Sequence, residues 1–229
     1  MKKDNGFKSY VNYFKKWEGA GPLGIGLMVL GIWLIWMGWQ YIPFSYPIAI
    51  VLIPLGLVLF FYGNIGRASE ADLRNIIEKS EEKIHFHELE EIPALRKRTP
   101  KQWEAQKFEG YVLKKGVLFK KMRNGSLCSS EYEIAKLVTL TDGFYVKTLH
   151  FSFLSEEQAT VAYDVPFSLL ESITAERKSF NLMKGEVPHP AKTCHLVLTY
   201  DGGKKVKLPA KDDIYLEEQI EKLKKIAGL

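Results

Sequence analysis

The sequence predicts an α+β protein in which a transmembrane helical hairpin precedes an antiparallel β domain closed by a C-terminal helix. Three observations predict it. From Gly21 to Asn64 there is no Asp, Glu, Lys, Arg or His, although charged residues make up 26% of the chain. Beyond residue 105 the chain alternates short β-prone runs with Asn-Gly and Asp-Gly turns. The last fifteen residues carry a helical apolar stripe.

The uncharged block is long enough for two crossings of about 20 residues each. Pro43 and Pro47 divide it, so the expected helices are Gly21–Gln40 and Pro47–Gly63. Trp33, Trp36, Trp39, Tyr41, Tyr46 and Tyr62 gather toward the ends, where amphipathic rings favour the headgroup region. Trp39-Gln40-Tyr41-Ile42-Pro43 is not a small-residue cleavage site, so the segment does not read as a signal peptide. Gly24, Gly31 and Gly38 repeat every seven residues, as do Ala49, Gly56 and Gly63. An antiparallel fold about Pro43–Phe44 pairs 24 with 63, 31 with 56 and 38 with 49, letting the backbones approach closely. Pro54 removes one backbone hydrogen bond from the second helix.

Lys2, Lys3, Lys8, Lys15 and Lys16 precede the hairpin, Arg67 and Arg74 follow it, and the connecting loop is uncharged. The positive-inside rule then predicts a multi-pass cell-membrane protein with both termini cytoplasmic. Cys128 and Cys194 are accordingly expected as reduced thiols. Within residues 1–20, Phe7, Tyr10, Val11, Phe14 and Trp17 form a stripe suited to a short interfacial helix.

Residues 65–100 read as a helical stalk and basic linker. Ser69 is positioned to cap a helix beginning at Glu70, with Leu73, Ile76, Ile77, Ser80 and Ile84 as a narrow stripe and Pro93 as its end. Ala68–Glu91 carries eight acidic and three basic residues; Arg96–Arg123 reverses this, with ten basic and two acidic. Arg96, Lys97, Arg98, Lys114, Lys115, Lys120, Lys121 and Arg123 are therefore candidates for anionic headgroups. The same charges could pair with the acidic stalk, or be solvated faces of strands and turns.

Residues 101–229 hold the β domain. Tyr111–Lys121 is a strand or strand pair broken at Gly116 and followed by the Asn124-Gly125 turn. Glu133–Thr141 and Phe144–Phe153 flank Asp142-Gly143. Thr160–Val165 and Ile173–Ser179 surround Pro166-Phe167, and Cys194–Tyr200 and Lys204–Pro209 flank Asp201-Gly202-Gly203. Asp212 or Asp213 opens the final helix, with Leu216, Ile220, Leu223 and Ala227 on one face and Gly228 at its end. A small barrel or sandwich plugged by that helix would bury its open end.

Two segments resemble the pleckstrin-homology-like superfamily, in particular its GRAM-like and bacterial members. Leu137-Val138-Thr139-Leu140-Thr141-Asp142-Gly143-Phe144-Tyr145-Val146 is similar to the family's "L-x-L-T-D" strand–turn–strand. Val165-Pro166-Phe167-Ser168-Leu169-Leu170-Glu171-Ser172-Ile173 is similar to its "I-P-[FY]-S-x-I-x-x-I" segment. The resemblance spans about Trp103 to Leu229 and implies a PH-like fold that binds anionic headgroups or proteins rather than catalysing a reaction. Lys115 followed by Lys121-Met122-Arg123 loosely matches the basic pattern of the phosphoinositide-binding members.

There is no P-loop, dinucleotide loop, H-E-x-x-H or G-x-S-x-G. His85-Phe86-His87-Glu88 has a metal-like look, but residues two apart on a helix point away from one another, so no metal is expected. His150, His189 and His195 have no recognisable partner, and Ser126, Ser129 and Ser130 no nearby base. The expectation is a protein without cofactor or nucleic-acid partner that binds anionic lipid headgroups or another membrane protein. The alternative is an assembly factor acting through the transmembrane hairpin.

Overall fold

A computed structural model describes residues 4–15, 19–40, 45–64, 68–84, 105–122 and 124–229, without the side chains of 4–8, 38–40 and 45. The chain forms two compact units, Met1–Glu70 and Ala71–Leu229.

In the first unit, α1 is Asp4–Lys15, α2 is Ala20–Gln40 and α3 is Ser45–Asn64. Helices α2 and α3 are long and apolar enough to cross a membrane. Their outward residues are apolar too: Val29, Ile32, Ile50 and Val58 are each at least 60% exposed. A helix apolar all round has nothing to gain from water on its outer face.

The small residues do bring the backbones together, but in a register three residues from the expected one. A Cβ on Gly63 would lie 2.5 Å from Gly21 N, one on Gly24 2.5 Å from Phe60 N, and one on Gly56 2.8 Å from Met28 Cγ. Gly31 faces Ile53 rather than Gly56. The start of α3 at Ser45, two residues before the expected Pro47, accounts for two of these three residues. Pro47 sits in the first turn, where its missing N–H leaves no intrahelical bond unmade, so the pivot moves toward the N-terminus. Ala49 is buried, and Gly38 lies outside the described side chains. Helix α3 runs through Pro54 as one element.

On α1, Phe14 is buried as the stripe predicts and Tyr10 and Val11 are half-buried. Tyr13, off that stripe, is buried as well and meets Phe14 edge-on at 5.1 Å. Phe7 and Trp17 lie outside the described side chains. Ser9 O accepts a hydrogen bond from Ala68 N, tying the end of the hairpin to α1.

In the second unit, α4 is Glu70–Glu81, shorter than the stalk expected to reach Pro93; a turn follows, and residues 85–104 are not described. The strands are β1 Gln106–Tyr111, β2 Phe119–Lys121, β3 Leu127–Ser129, β4 Glu131–Thr139, β5 Gly143–Ser152, β6 Gln158–Pro166, β7 Leu170–Lys184, β8 Val187–Tyr200 and β9 Lys204–Ala210, before α5 at Ile214–Ala227. They form antiparallel sheets ordered β1-β4-β5-β6, β7-β8-β9 and β2-β3.

These sheets do not close into a barrel. Strand β1 approaches β9 where a Cβ on Gly110 would stand 3.3 Å from Pro209 Cβ, and Pro209 has no N–H to give a ladder. At the other end a 3-10 turn, Phe167–Leu169, carries the chain out of β6 into the second sheet. One core nevertheless joins both sheets. Phe108, Leu137, Phe144, Val146 and Val165 meet Ile173, Leu196, Leu198 and Leu208, and α5 adds Leu216, Ile220 and Leu223. The Asp213 carboxylate accepts from Tyr215 N and Leu216 N, and Gly228 ends the helix at φ 78°, the left-handed cap that glycine adopts without strain.

The long β7–β8 ribbon is the main departure from expectation, because Gly185, Pro188 and Pro190 give residues 180–193 the look of a loop. Since β9 pairs only with Cys194–Tyr200, Val187–Thr193 have an edge where a missing N–H leaves no ladder bond unmade.

Gly56→Leu should cost the hairpin about 1–3 kcal/mol through overpacking. Gly26→Leu, where an added Cβ meets nothing within 4 Å, should be neutral when the detergent-solubilised chain is unfolded by denaturant. In the second unit, Leu223→Ala should cost about 2–5 kcal/mol in a urea melt, since the side chain is fully buried. Arg177 also ties β7 to α5 through Asp212 and Glu217, but on the surface, so Arg177→Ala should shift the melt far less.

Candidate functional site

Strands β4 and β5 are apolar on both sides. Ala135, Leu137, Phe144 and Val146 face the shared core, while Ile134, Val138, Tyr145, Leu149 and Phe151 are buried on the opposite face. A sheet with two apolar faces needs two covers, and the end of α4 docks on the second. The Glu81 carboxylate takes Lys107 Nζ from β1 and Lys136 Nζ from β4. Lys136 Nζ also donates to Ile84 O at 3.2 Å, and Lys83 Nζ to Gln158 Oε1 at 3.1 Å. The acidic and basic stretches of the sequence therefore do meet, at Glu81 and Lys107.

Burial alone would raise the pKa of Glu81; the hydrogen bonds and charges of Lys107 and Lys136 outweigh it and leave the carboxyl below its ordinary range. For Lys107, burial works downward and the bonds to Glu81 and Glu109 prevail, so its pKa is raised. Burial and the neighbouring Glu109 push the Tyr132 phenol upward.

A second arrangement collects positive charge. The β2–β3 hairpin packs on the β7–β8 ribbon through Phe119, Leu182 and Ala191, with Leu113, Leu127 and Phe180 around them. His189 meets the Phe119 ring edge-on at 5.4 Å. The resulting lobe combines Lys114, Lys115, Lys120 and Lys121 with Lys184 and Lys192 from the ribbon, while Lys178 is paired with the Glu176 carboxylate at 3.0 Å. Over residues 112–130 and 178–193 the sole acidic residue is Glu186.

The predicted site residues divide accordingly. Lys115 and Lys121 are exposed. Lys114 pairs with the Glu131 carboxylate at 2.7 Å, which also holds His150 Nε2 at 3.0 Å. Lys120 is only 8% exposed, beside Cys128, whose Sγ donates to Lys120 O. Arg96, Lys97, Arg98 and Arg123 lie outside the described residues, as do His85 and His87. Lys184 and Lys192 were not legible as site residues, because their segment reads as a loop; the signal available was the β-prone alternation on either side of it. Both are exposed, and among the described residues neither they nor Lys115 and Lys121 have a carboxylate partner.

Among the described residues no three His, Cys, Asp or Glu side chains lie together as a metal site. Cys128 and Cys194 are free and buried. Burial, with the charge of Lys207 beside it, lowers the pKa of His195. Comparison with protein-family models, with curated proteins and with solved structures returns no match.

The Glu81 contact is expected to be sensitive to acid. A carboxyl whose folded pKa is lowered contributes stability that is full above its unfolded value and disappears as pH falls through the folded one. The raised Lys107 contributes up to the ordinary lysine range and is lost only above it. Hydrogen exchange at 71–84, corrected for intrinsic rate, should therefore accelerate on acidification below about pH 4.5, and Glu81→Gln should show fast exchange already at neutral pH.

Proposed function

We propose that the chain is a non-catalytic, membrane-anchored module of PH-like type that binds anionic lipid headgroups through the lobe of β2–β3 and the β7–β8 ribbon. The observation that carries this reading is the apolar contact of Phe119 with Leu182 and Ala191. It sets the exposed Lys115 and Lys121 in one lobe with Lys184 and Lys192, far apart in sequence and, among the described residues, without a carboxylate partner.

The fold supports the PH-like part. A meander of four strands, a meander of three and a terminal helix against their common core form the arrangement that the resemblance implies, with β2–β3 an insertion after the first strand. The uncharged α2–α3 hairpin supplies the anchor, and the lysines before it with Arg67 and Arg74 after it favour cytoplasmic termini. Near a surface rich in anionic lipid each basic residue contributes about 1 kcal/mol, so four give useful affinity once the anchor has removed the cost of finding the membrane.

Full-length protein in nanodiscs tests this by acylation of lysine amines read by mass spectrometry. Lys115, Lys121, Lys184 and Lys192 should be protected in anionic discs relative to neutral ones, and exposed again in high salt. Lys121→Glu with Lys184→Glu should abolish the protection of the other two. Equal labelling in both lipids would overturn the proposal.

A further inference from the structure

Sheet edges invite pairing with another chain, and folded proteins blunt them with lysines, prolines or short length. The edges of this domain follow that rule with one exception. Strand β9 carries Lys204, Lys205, Lys207 and Pro209; β7 carries Glu171, Glu176, Arg177 and Lys178; β1 carries Lys107 and Glu109. Strand β6 is the outer strand of the four-stranded sheet. From Gln158 to Tyr163 it has neither charge nor proline, and Gln158–Ala162 are all exposed, Val161 at 44%. Among the described residues nothing pairs with its outer side.

We infer that β6 is a pairing edge for β6 of a second copy of this chain, joined antiparallel about a two-fold axis through Val161. The edge is complementary to itself in one register. In an antiparallel ladder, opposed residues point their N–H and C=O groups the same way relative to the partner, and that direction alternates along the strand. A two-fold axis must then pass through a residue, not between two. With the axis at Val161, Thr160 lies opposite Ala162 of the second copy, Ala159 opposite Tyr163 and Gln158 opposite Asp164. Each copy supplies both members of every pair. No like charges oppose one another, and Val161 meets its own equivalent. Moving the axis to Thr160 leaves only Gln158–Ala162 paired, because Tyr163 onward then lies opposite residues before the strand begins. Moving it to Ala162 sets Pro166, which has no N–H, against Gln158. The sequence of the edge thus favours one self-pairing. Two copies anchored in one membrane meet at raised effective concentration.

The test uses the full chain in proteoliposomes with a short bifunctional methanethiosulfonate. Native Cys128 and Cys194 are buried, so added thiols dominate, and exposed Met183→Cys reports random collision. Val161→Cys should cross-link to dimers several-fold above that control. Ala159→Cys and Tyr163→Cys should each link weakly alone, their equivalents standing about 13 Å apart along the strand, and link efficiently when the two variants are mixed. Val161→Lys should leave the chain monomeric by light scattering in detergent. Cross-linking of Val161→Cys no greater than that of Met183→Cys would overturn the inference. So would single variants at 159 and 163 that link as well as their mixture.

Discussion

Most of the second unit follows from the burial of β4 and β5 on both faces. An ordinary antiparallel sheet gives one face to a core and the other to water. Here Leu137 and Phe144 on one side and Ile134, Leu149 and Phe151 on the other are all withdrawn from solvent. The inner face is covered by the second sheet and α5, which share its core without closing a barrel. On the outer face the end of α4 is docked by polar contacts at its margin. Lys107 and Lys136 converge on Glu81, and the Ile84 carbonyl takes a further bond from Lys136. Apolar burial supplies the drive, while the half-exposed charges select where the helix end comes to rest, because surface ion pairs position more than they stabilise.

This arrangement changes the meaning of the acidic and basic stretches. Read along the chain, they are a net −5 followed by a net +8, open to mutual neutralisation. In the fold the neutralisation is partial and local: Glu81 takes Lys107, Glu131 takes Lys114, and the charge farther along β2 goes elsewhere. The β2–β3 hairpin packs by apolar side chains onto a ribbon that adds Lys184 and Lys192. Positive charge thus accumulates where the acidic stretch does not reach it.

What was legible in the sequence follows the strength of local signals. The hairpin helices, the Asp142-Gly143 and Asp201-Gly202-Gly203 turns and the capped final helix have short-range causes, and each lies close to its expected position. Three features depended on information outside their own segments. The register of α2 on α3 depends in part on where Pro47 sits in its helix, a difference of two residues within the observed shift of three. The ribbon tolerates Pro188 and Pro190 because β9 is too short to require their N–H groups. The two-faced burial of β4 and β5 was visible as Leu137-Val138-Thr139-Leu140 and Phe144-Tyr145-Val146, runs too continuous for a half-exposed sheet, but the covering elements come from far along the chain. Half of the basic site was read from composition; the other half depended on the ribbon.

The same logic bears on β6. A domain that places lysines or proline on its other edges, and buries both faces of its central strands, has the means to blunt every edge. Leaving Gln158–Ala162 uncharged and exposed is therefore informative, because one lysine there would add protection at little cost to the fold. Pairing through that edge would also spare the basic lobe, which is built from β2, β3 and the distal β7–β8 ribbon and shares no residue with β6. The residues that carry charge and those that offer backbone pairing are segregated along the chain, so that a substitution in one set leaves the other intact.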